Sequence, residues 1–232
     1  MPALADQRVR QAFSFALDRD RMVKDALNGF GRPASIPWPR ESLGFDAGQD
    51  QTYTHDLGKA RQLLESAGWN IDTRLPLLIP SRVPATRTMA EIYQADLAAI
   101  GVTVLLQEVD LGDLYARLQN GQVGGAWIVN MGYMNLSPAT FLNSAFPVRT
   151  PNPSHFETQR YTDLLHRVRS ETDAQRLKAH LNEVTQIMLD EAFIAPIAEA
   201  TGASGGLEVT RNSVRGASWN ILGLFAYQDV WL

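Results

Sequence analysis

The chain has no cysteine. That removes disulfides, thiolate zinc sites and cysteine nucleophiles together, and leaves the redox character of its compartment open. Long apolar runs are missing too. No stretch approaches the roughly 20 residues needed to span a bilayer, and the N-terminus has no charged-then-apolar signal pattern. The text starts almost directly in a helix, MPALADQRVRQAFSFAL, as a piece cut from something longer would. Basic charge is outweighed, with 21 Lys and Arg against 25 Asp and Glu and a formal net charge of -4. Without a basic run, the electrostatic footprint of a nucleic-acid binder is absent and a membrane-surface role is equally unsupported.

The motifs of catalysis and metal binding are also lacking. The 4 histidines, His55, His155, His166 and His180, are scattered and form neither an i, i+4 pair nor an HExxH, so converging zinc ligands are not expected of them. There is no GxSxG, P-loop or GxGxxG. The GASGG run at 202–206 lacks the lysine and helix of a phosphate cradle and reads as a turn. Carboxylates such as Asp96, Asp163 and Glu183 fall at caps or on polar helix faces, and no acid–base pair can be picked out. Neither catalytic residues nor a metal or cofactor are expected.

What is present is ordinary globular text, 45% hydrophobic and 20% charged over 232 residues, long enough to bury a real core. Val9, Ala12, Phe13, Ala16 and Leu17 recur at helical spacing, Asp18 can cap a second helix, and Asn28-Gly29 is a usual stop. Residues 30–52 are rich in Gly, Pro, Ser and aromatics without periodicity, which predicts a long ordered loop. Thr54 or Asp56 caps the next helix, with Leu57, Ala60, Leu63, Leu64 and Ala67 inward and Gly68 closing it. A strand at 75–80, a helix at 85–100 and a strand at 102–109 form a crossover unit that implies parallel pairing. A helix at 111–118 and a near-continuously apolar strand beginning at Ala126 continue the alternation. Helices follow at 161–168 and 174–189, the latter capped by Asp173, with strand candidates at 193–198, 207–210 and 222–232.

The stretch 126–142, AWIVNMGYMNLSPATFL, stands out. Its strand breaks at Gly132 into polar, turn-forming residues before Pro138 restarts regular structure. In open α/β sheets ligands sit outside the carboxyl ends of strands, which places Tyr133, Met134 and Asn135 to meet one. Trp38, between two prolines of the long loop, and Arg82, in the loop after a strand, add apolar area and a polar anchor of the kind small-molecule clefts use. Trp38 fits the domain's own core as well as a ligand face, Arg82 fits a solvated loop cation, and Trp127 reads as core.

Several segments taken together resemble the family 5 extracellular solute-binding proteins of ABC importers, of the dipeptide-, oligopeptide- and nickel-binding type. They are DQRVRQAFSFALDRDRMVKDAL, GRPASIPWP, YTHDLGKARQLLESAGW, ATRTMAEIYQADLAAIGVTVLLQEVD, SPATFL, RYTDLLHRVRSETDAQR and HLNEVTQIMLDEAFIAPI, in collinear order over nearly the whole chain. The resemblance implies an α/β, type II periplasmic-binding-protein fold whose two lobes close on a ligand. It implies that only the second lobe is present, a mixed sheet flanked by helices: 1–5 a start or linker, 6–210 the C-terminal lobe, and 211–232 returning sequence that would complete the first. The stretch 126–142 is similar to the family segment that often reads WGADYPDPxxFL, with Pro138, Phe141 and Leu142 fixing the register. In peptide-binding members its first aspartate pairs with the ligand's terminal amine. Met134 stands there, which removes a charge-assisted bond of roughly 1.5 to 3 kcal/mol and argues against an amine-anchored peptide. Met131 replaces the usual tryptophan.

The expectation is therefore a non-catalytic receptor lobe that captures a small solute, peptide-like, opine-like, sugar or metal chelate, by hinge closure. Its partners would be the missing N-terminal lobe and the membrane permease of an ABC importer, in the periplasm or extracellular space, with a lipoprotein anchor as one option. Trp38, Arg82, Tyr133, Met134 and Asn135 would line the lobe's cleft face. An alternative from another class is the ligand-sensing domain of a regulatory protein reusing the fold. A helix-turn-helix at the parent's N-terminus would indicate the regulator, and a signal peptide or lipobox the importer. Half of a two-sided cleft is expected to bind any solute weakly.

Overall fold

Capping side chains set where the helices begin. In the computed structural model, residues 1–131 and 137–200 are described, together with the backbone pairing of Ser218–Trp219 and Phe225–Ala226. Asp6 caps α1 (Gln7–Phe15), Asp18 caps α2 (Arg19–Ala26) and Asp56 caps α3 (Leu57–Ser66), each accepting an N–H of the first turn. The helix α4 (Pro84–Ala99) departs from this pattern, since Val83 precedes it and supplies no side-chain acceptor. Capping resumes with Asp110 before α5 (Leu111–Gln119), Ser137 before α6 (Pro138–Ser144), Thr158 before α7 (Gln159–Ser170) and Asp173 before α8 (Ala174–Glu191). Such caps stabilise a helix end by about 1 kcal/mol each.

The strands are β1 (Arg32–Pro33), β2 (Arg74–Pro80), β3 (Thr103–Val109), β4 (Ala126–Trp127) and β5 (Ala198–Glu199). β2 is central in the order β3-β2-β4, and both ladders are parallel, as the crossover reading requires. Its two faces meet different layers. Leu75, Leu77 and Ile79 join the main core with Met89, Tyr93 and Leu97 of α4, while Leu78 joins Leu114 and Leu118 of α5 and Phe146. A strand covered on both faces accounts for the near-continuous apolar text of RLPLLIP. The antiparallel pairings lie in separate two-stranded ladders, β1 with β5 and Ser218–Trp219 with Phe225–Ala226.

The expected strand from Ala126 through Met131 is shorter than its apolar text suggests, and β2 explains why. Leu78 gives its carbonyl to the Ile128 N–H at 3.0 Å, so even-numbered residues of β2 face β4. Pro76 and Pro80 share that side and have no N–H to offer, which limits the ladder to Leu77 and Leu78 opposite Ala126 and Trp127. Gly125 permits the approach, because a Cβ there would clash with the Pro76 carbonyl oxygen. Trp127 packs beside Phe146 in the smaller core cluster.

Two further expectations are corrected. The run at 193–198 is not a strand; pairing begins only at Ala198. Phe193 stacks on Phe156 at 4.3 Å and meets the Tyr161 ring edge-on, so the run's apolarity serves packing against α7 rather than a sheet. Asp96 does not lie on a polar helix face but is 9% exposed. It follows Ile92 and Tyr93 by a helical turn and precedes Leu97, so helical spacing carries it onto the buried stripe. The strand candidates at 207–210 and 222–232 lie largely outside the described residues.

The long loop at 30–52 is ordered by charge rather than by periodicity. The Arg32 guanidinium pairs with both Asp50 and Glu199 and lies over the Phe45 ring, and Asp50 accepts the Ser35 N–H at 2.9 Å. These bonds join the loop to β5. Beneath it, Arg19 is 4% exposed and donates to the carbonyls of Ser14, Ala34, Tyr53 and Pro196. Burial brings its pKa down to about 10, with Tyr93, Tyr53 and Asp50 opposing the shift, so it stays cationic at neutral pH.

Candidate ligand crevice at the sheet's carboxyl edge

From β2 the chain crosses by α4 to β3 on one side, and from β3 it crosses by α5 to β4 on the other. The connections diverge between β2 and β4. The carboxyl ends of those two strands are therefore the topological switch point, where open α/β sheets leave a crevice for a ligand.

On the β2 side the Ser81 N–H still bonds to the Val109 carbonyl at 2.7 Å. Arg82 then turns into the left-handed region at φ 63 and stands exposed to solvent. Val83 and Pro84 follow, so α4 presents its first turn to this edge without a side-chain cap. An uncapped helix N-terminus carries partial positive charge and open N–H groups, and the guanidinium of Arg82 adds a full charge beside it in sequence. This corner suits a carboxylate or another anionic group. The missing cap is legible as Val83-Pro84 where the other helices start with Asp, Ser or Thr, a signal that the sequence reading passed over.

On the β4 side, Asn130 accepts the Tyr115 hydroxyl at 3.1 Å, which ties the strand exit to α5. Met131 is 36% exposed and ends the described part of the stretch. Tyr133, Met134 and Asn135 lie outside the described residues. The described residues resume at Ser137, whose hydroxyl accepts the Thr140 N–H at 3.2 Å and starts α6.

Trp38 is 1% exposed. Its indole N–H donates to the Thr185 hydroxyl at 2.7 Å, and its ring meets Phe141 of α6 edge-on at 5.9 Å. The structure thus puts Trp38 behind the helix that follows 132–136, where it fixes α6 against α8, while Arg82 is open to solvent at the sheet edge. The two do not share a surface. Among the described residues no group of three or more His, Asp or Glu could hold a metal ion, and no helix is long and apolar enough to cross a membrane.

Comparison with known proteins identifies the fold and the family. The family model for bacterial extracellular solute-binding proteins, family 5 (middle portion), matches residues 1–151. The dipeptide-binding protein of Escherichia coli K12 is 28% identical over 235 residues, which covers 98% of this chain and 43% of that protein. The nickel-binding periplasmic protein of the same organism is 29% identical over 167 residues, 65% of this chain and 30% of that protein. The solved structure of HbpA2 from Haemophilus parasuis superposes with a TM-score of 0.82 at 27% identity, covering 100% of this chain and 46% of that one. The chain therefore spans less than half the length of these relatives. Its fold is that of the type II periplasmic binding proteins, a mixed α/β architecture. By the extent of the family match, this chain belongs to the bacterial extracellular solute-binding proteins of family 5.

Proposed function

We propose that residues 6–210 are the second lobe of an ABC importer's solute receptor, that 211–232 return to complete the first lobe, and that the receptor captures a small solute by closing both lobes on it. The observation that carries this reading is the switch point between β2 and β4, with exposed Arg82 and the uncapped start of α4 on one side and Met131 on the other. A half-site of this kind recognises part of a ligand and leaves the rest for a second wall. Binding and closure need no chemistry, and the reading is non-catalytic.

The relatives' names include a dipeptide receptor and a nickel receptor, so the family's solutes are chemically broad. Arg82 beside an open helix start favours a solute with a carboxylate or similar anion on the side facing this lobe. Met134 in place of an aspartate disfavours anchoring through an ammonium. An opine-like conjugate, a metal chelate or a peptide held by its carboxylate satisfies both conditions. Tyr133, Met134, Asn135 and Arg82 form the proposed cleft face, with Trp38 supporting α6 from behind. The periplasm or extracellular space is the proposed location, and a membrane permease the proposed partner.

Calorimetry of the full-length receptor against peptides, sugars, opine-like conjugates and metal chelates tests the reading. The expected result is saturable binding of a carboxylate-bearing solute that Arg82→Ala weakens by about tenfold or more, the loss of one charge-assisted bond. Binding of no small solute, together with unchanged uptake in a deletion strain, would refute it.

A further inference from the structure

We propose that the groove between α6 and α7 is a second binding site, for a small oxyanion, held by Arg149. The groove has a volume of about 260 Å³. Asn143 of α6, Arg149 and Thr150 of the connecting loop, and Thr162, Leu165 and His166 of α7 form its walls. Among the described residues no carboxylate lines it. The polar side chains present are a guanidinium, two hydroxyls, an amide and an imidazole, and every one of them can donate a hydrogen bond.

Arg149 is half-buried, and its Nε has no hydrogen-bond partner among the described residues. A guanidinium that lines a groove without a carboxylate keeps its charge available, and an oxyanion arriving there gains a charge-assisted bond to it. The backbone beneath the guanidinium is already fixed. Its N–H donates to the Ala145 carbonyl at 2.9 Å, and its carbonyl accepts Asn152 Nδ2 at 3.1 Å. Asn152 is 5% exposed and also holds Phe156 from both sides of its amide, donating to the Phe156 carbonyl at 2.8 Å and accepting the Phe156 N–H at 3.1 Å. The pinned backbone of the loop lowers the ordering cost that an anion binding at Arg149 has to meet. Leu165 and the adjoining Leu142 give the groove an apolar floor, which strengthens any charge-assisted bond made above it. None of these residues belongs to the crevice at the sheet edge, so this site stands independently of the solute reading.

The test follows the arginine Nε–H and backbone amide NMR resonances of the 232-residue chain during titration with inorganic phosphate, sulfate and acetate at constant ionic strength. The expected result is a saturable shift of the Arg149 Nε–H and of the Thr162 and His166 amides with at least one of these probes. Arg149→Gln should weaken the response at Thr162 and His166 by about tenfold or more. Thr162→Val should weaken it by less, and Arg82→Gln should leave it unchanged. The amide spectra of the variants report directly whether each is folded. No saturable shift with any of the three anions, or the same saturation in Arg149→Gln, would overturn the proposal.

Discussion

Trp38 donates its indole N–H to the hydroxyl of Thr185, and Thr185 donates onward to the Leu181 carbonyl at 2.8 Å, so a residue of the long loop is bonded into the middle of α8. The ring also fills the space behind α6. Trp38→Ala should therefore destabilise the chain by about 3–5 kcal/mol, the usual cost of emptying a large aromatic site. Trp38→Phe keeps part of the packing and should cost clearly less. Urea unfolding of both variants checks this, and a near-neutral Trp38→Ala would mean that the residue is not core.

Arg32 is shared between Asp50 and Glu199 with little solvent around it. Asp50→Ala leaves the guanidinium half-paired and the Ser35 N–H without its acceptor, and should cost about 3 kcal/mol. The double variant Arg32→Met, Asp50→Ala should cost less than the sum of the single changes, because the stranded charge leaves with its partner. A strictly additive pair in equilibrium unfolding would argue that the loop is held elsewhere.

Two aspartates give opposite pH dependences. Asp6 caps α1 and pairs with Arg8, whose hydrogen bonds bring its pKa down to about 2 from the usual 3.8. The stability it contributes is present above pH 3.8 and is lost as pH falls through about 2, so Asp6→Asn should flatten the acid limb of the melting curve. Asp96 is shifted upward by burial, with Asp18 adding to the shift and His55 and Arg21 opposing it. Its folded form favours the protonated acid, so its contribution is full below the unfolded value of 3.8 and is lost as pH rises through the raised pKa. Asp96→Asn should then raise the melting temperature at pH 7 and lose that advantage toward acid pH. A melting curve for Asp96→Asn lying below the parent at neutral pH contradicts this placement.

Gly125 allows β4 to reach β2. Gly125→Ala would drive a Cβ into the Pro76 carbonyl and should separate the short ladder at a cost of about 2–4 kcal/mol. Faster hydrogen exchange of the Ile128 amide, whose acceptor is Leu78, is the local readout. Unchanged protection there would show that β4 is held without the ladder.

Much of the architecture was legible because it rests on local signals. Asp18 and Asp173 announce helix starts, Gly68 announces a stop, and the stripe of Met89, Ile92, Tyr93 and Leu97 announces the crossover helix. What escaped depends on neighbours that periodicity does not report. The length of β4 is set by two prolines some fifty positions upstream in β2, and the run at 193–198 is set by rings on α7 and in the loop before it. Asp96 lies within an apolar stripe that the polar letter concealed. The carboxyl edge of the sheet, where the proposed site lies, was legible as a place, and Arg82 is exposed there. The role of Trp38 was not, since an aromatic residue between prolines reads the same whether it faces a ligand or the core.

We propose that this chain forms one wall of a two-walled site. Calorimetry of the full-length receptor and of the 232-residue chain, with one solute that the receptor binds, decides this. The expected result is a large loss of affinity in the chain alone, to a dissociation constant well above micromolar, because half of the contact surface is gone. A submicromolar dissociation constant for the chain alone, matching the full receptor, would contradict it.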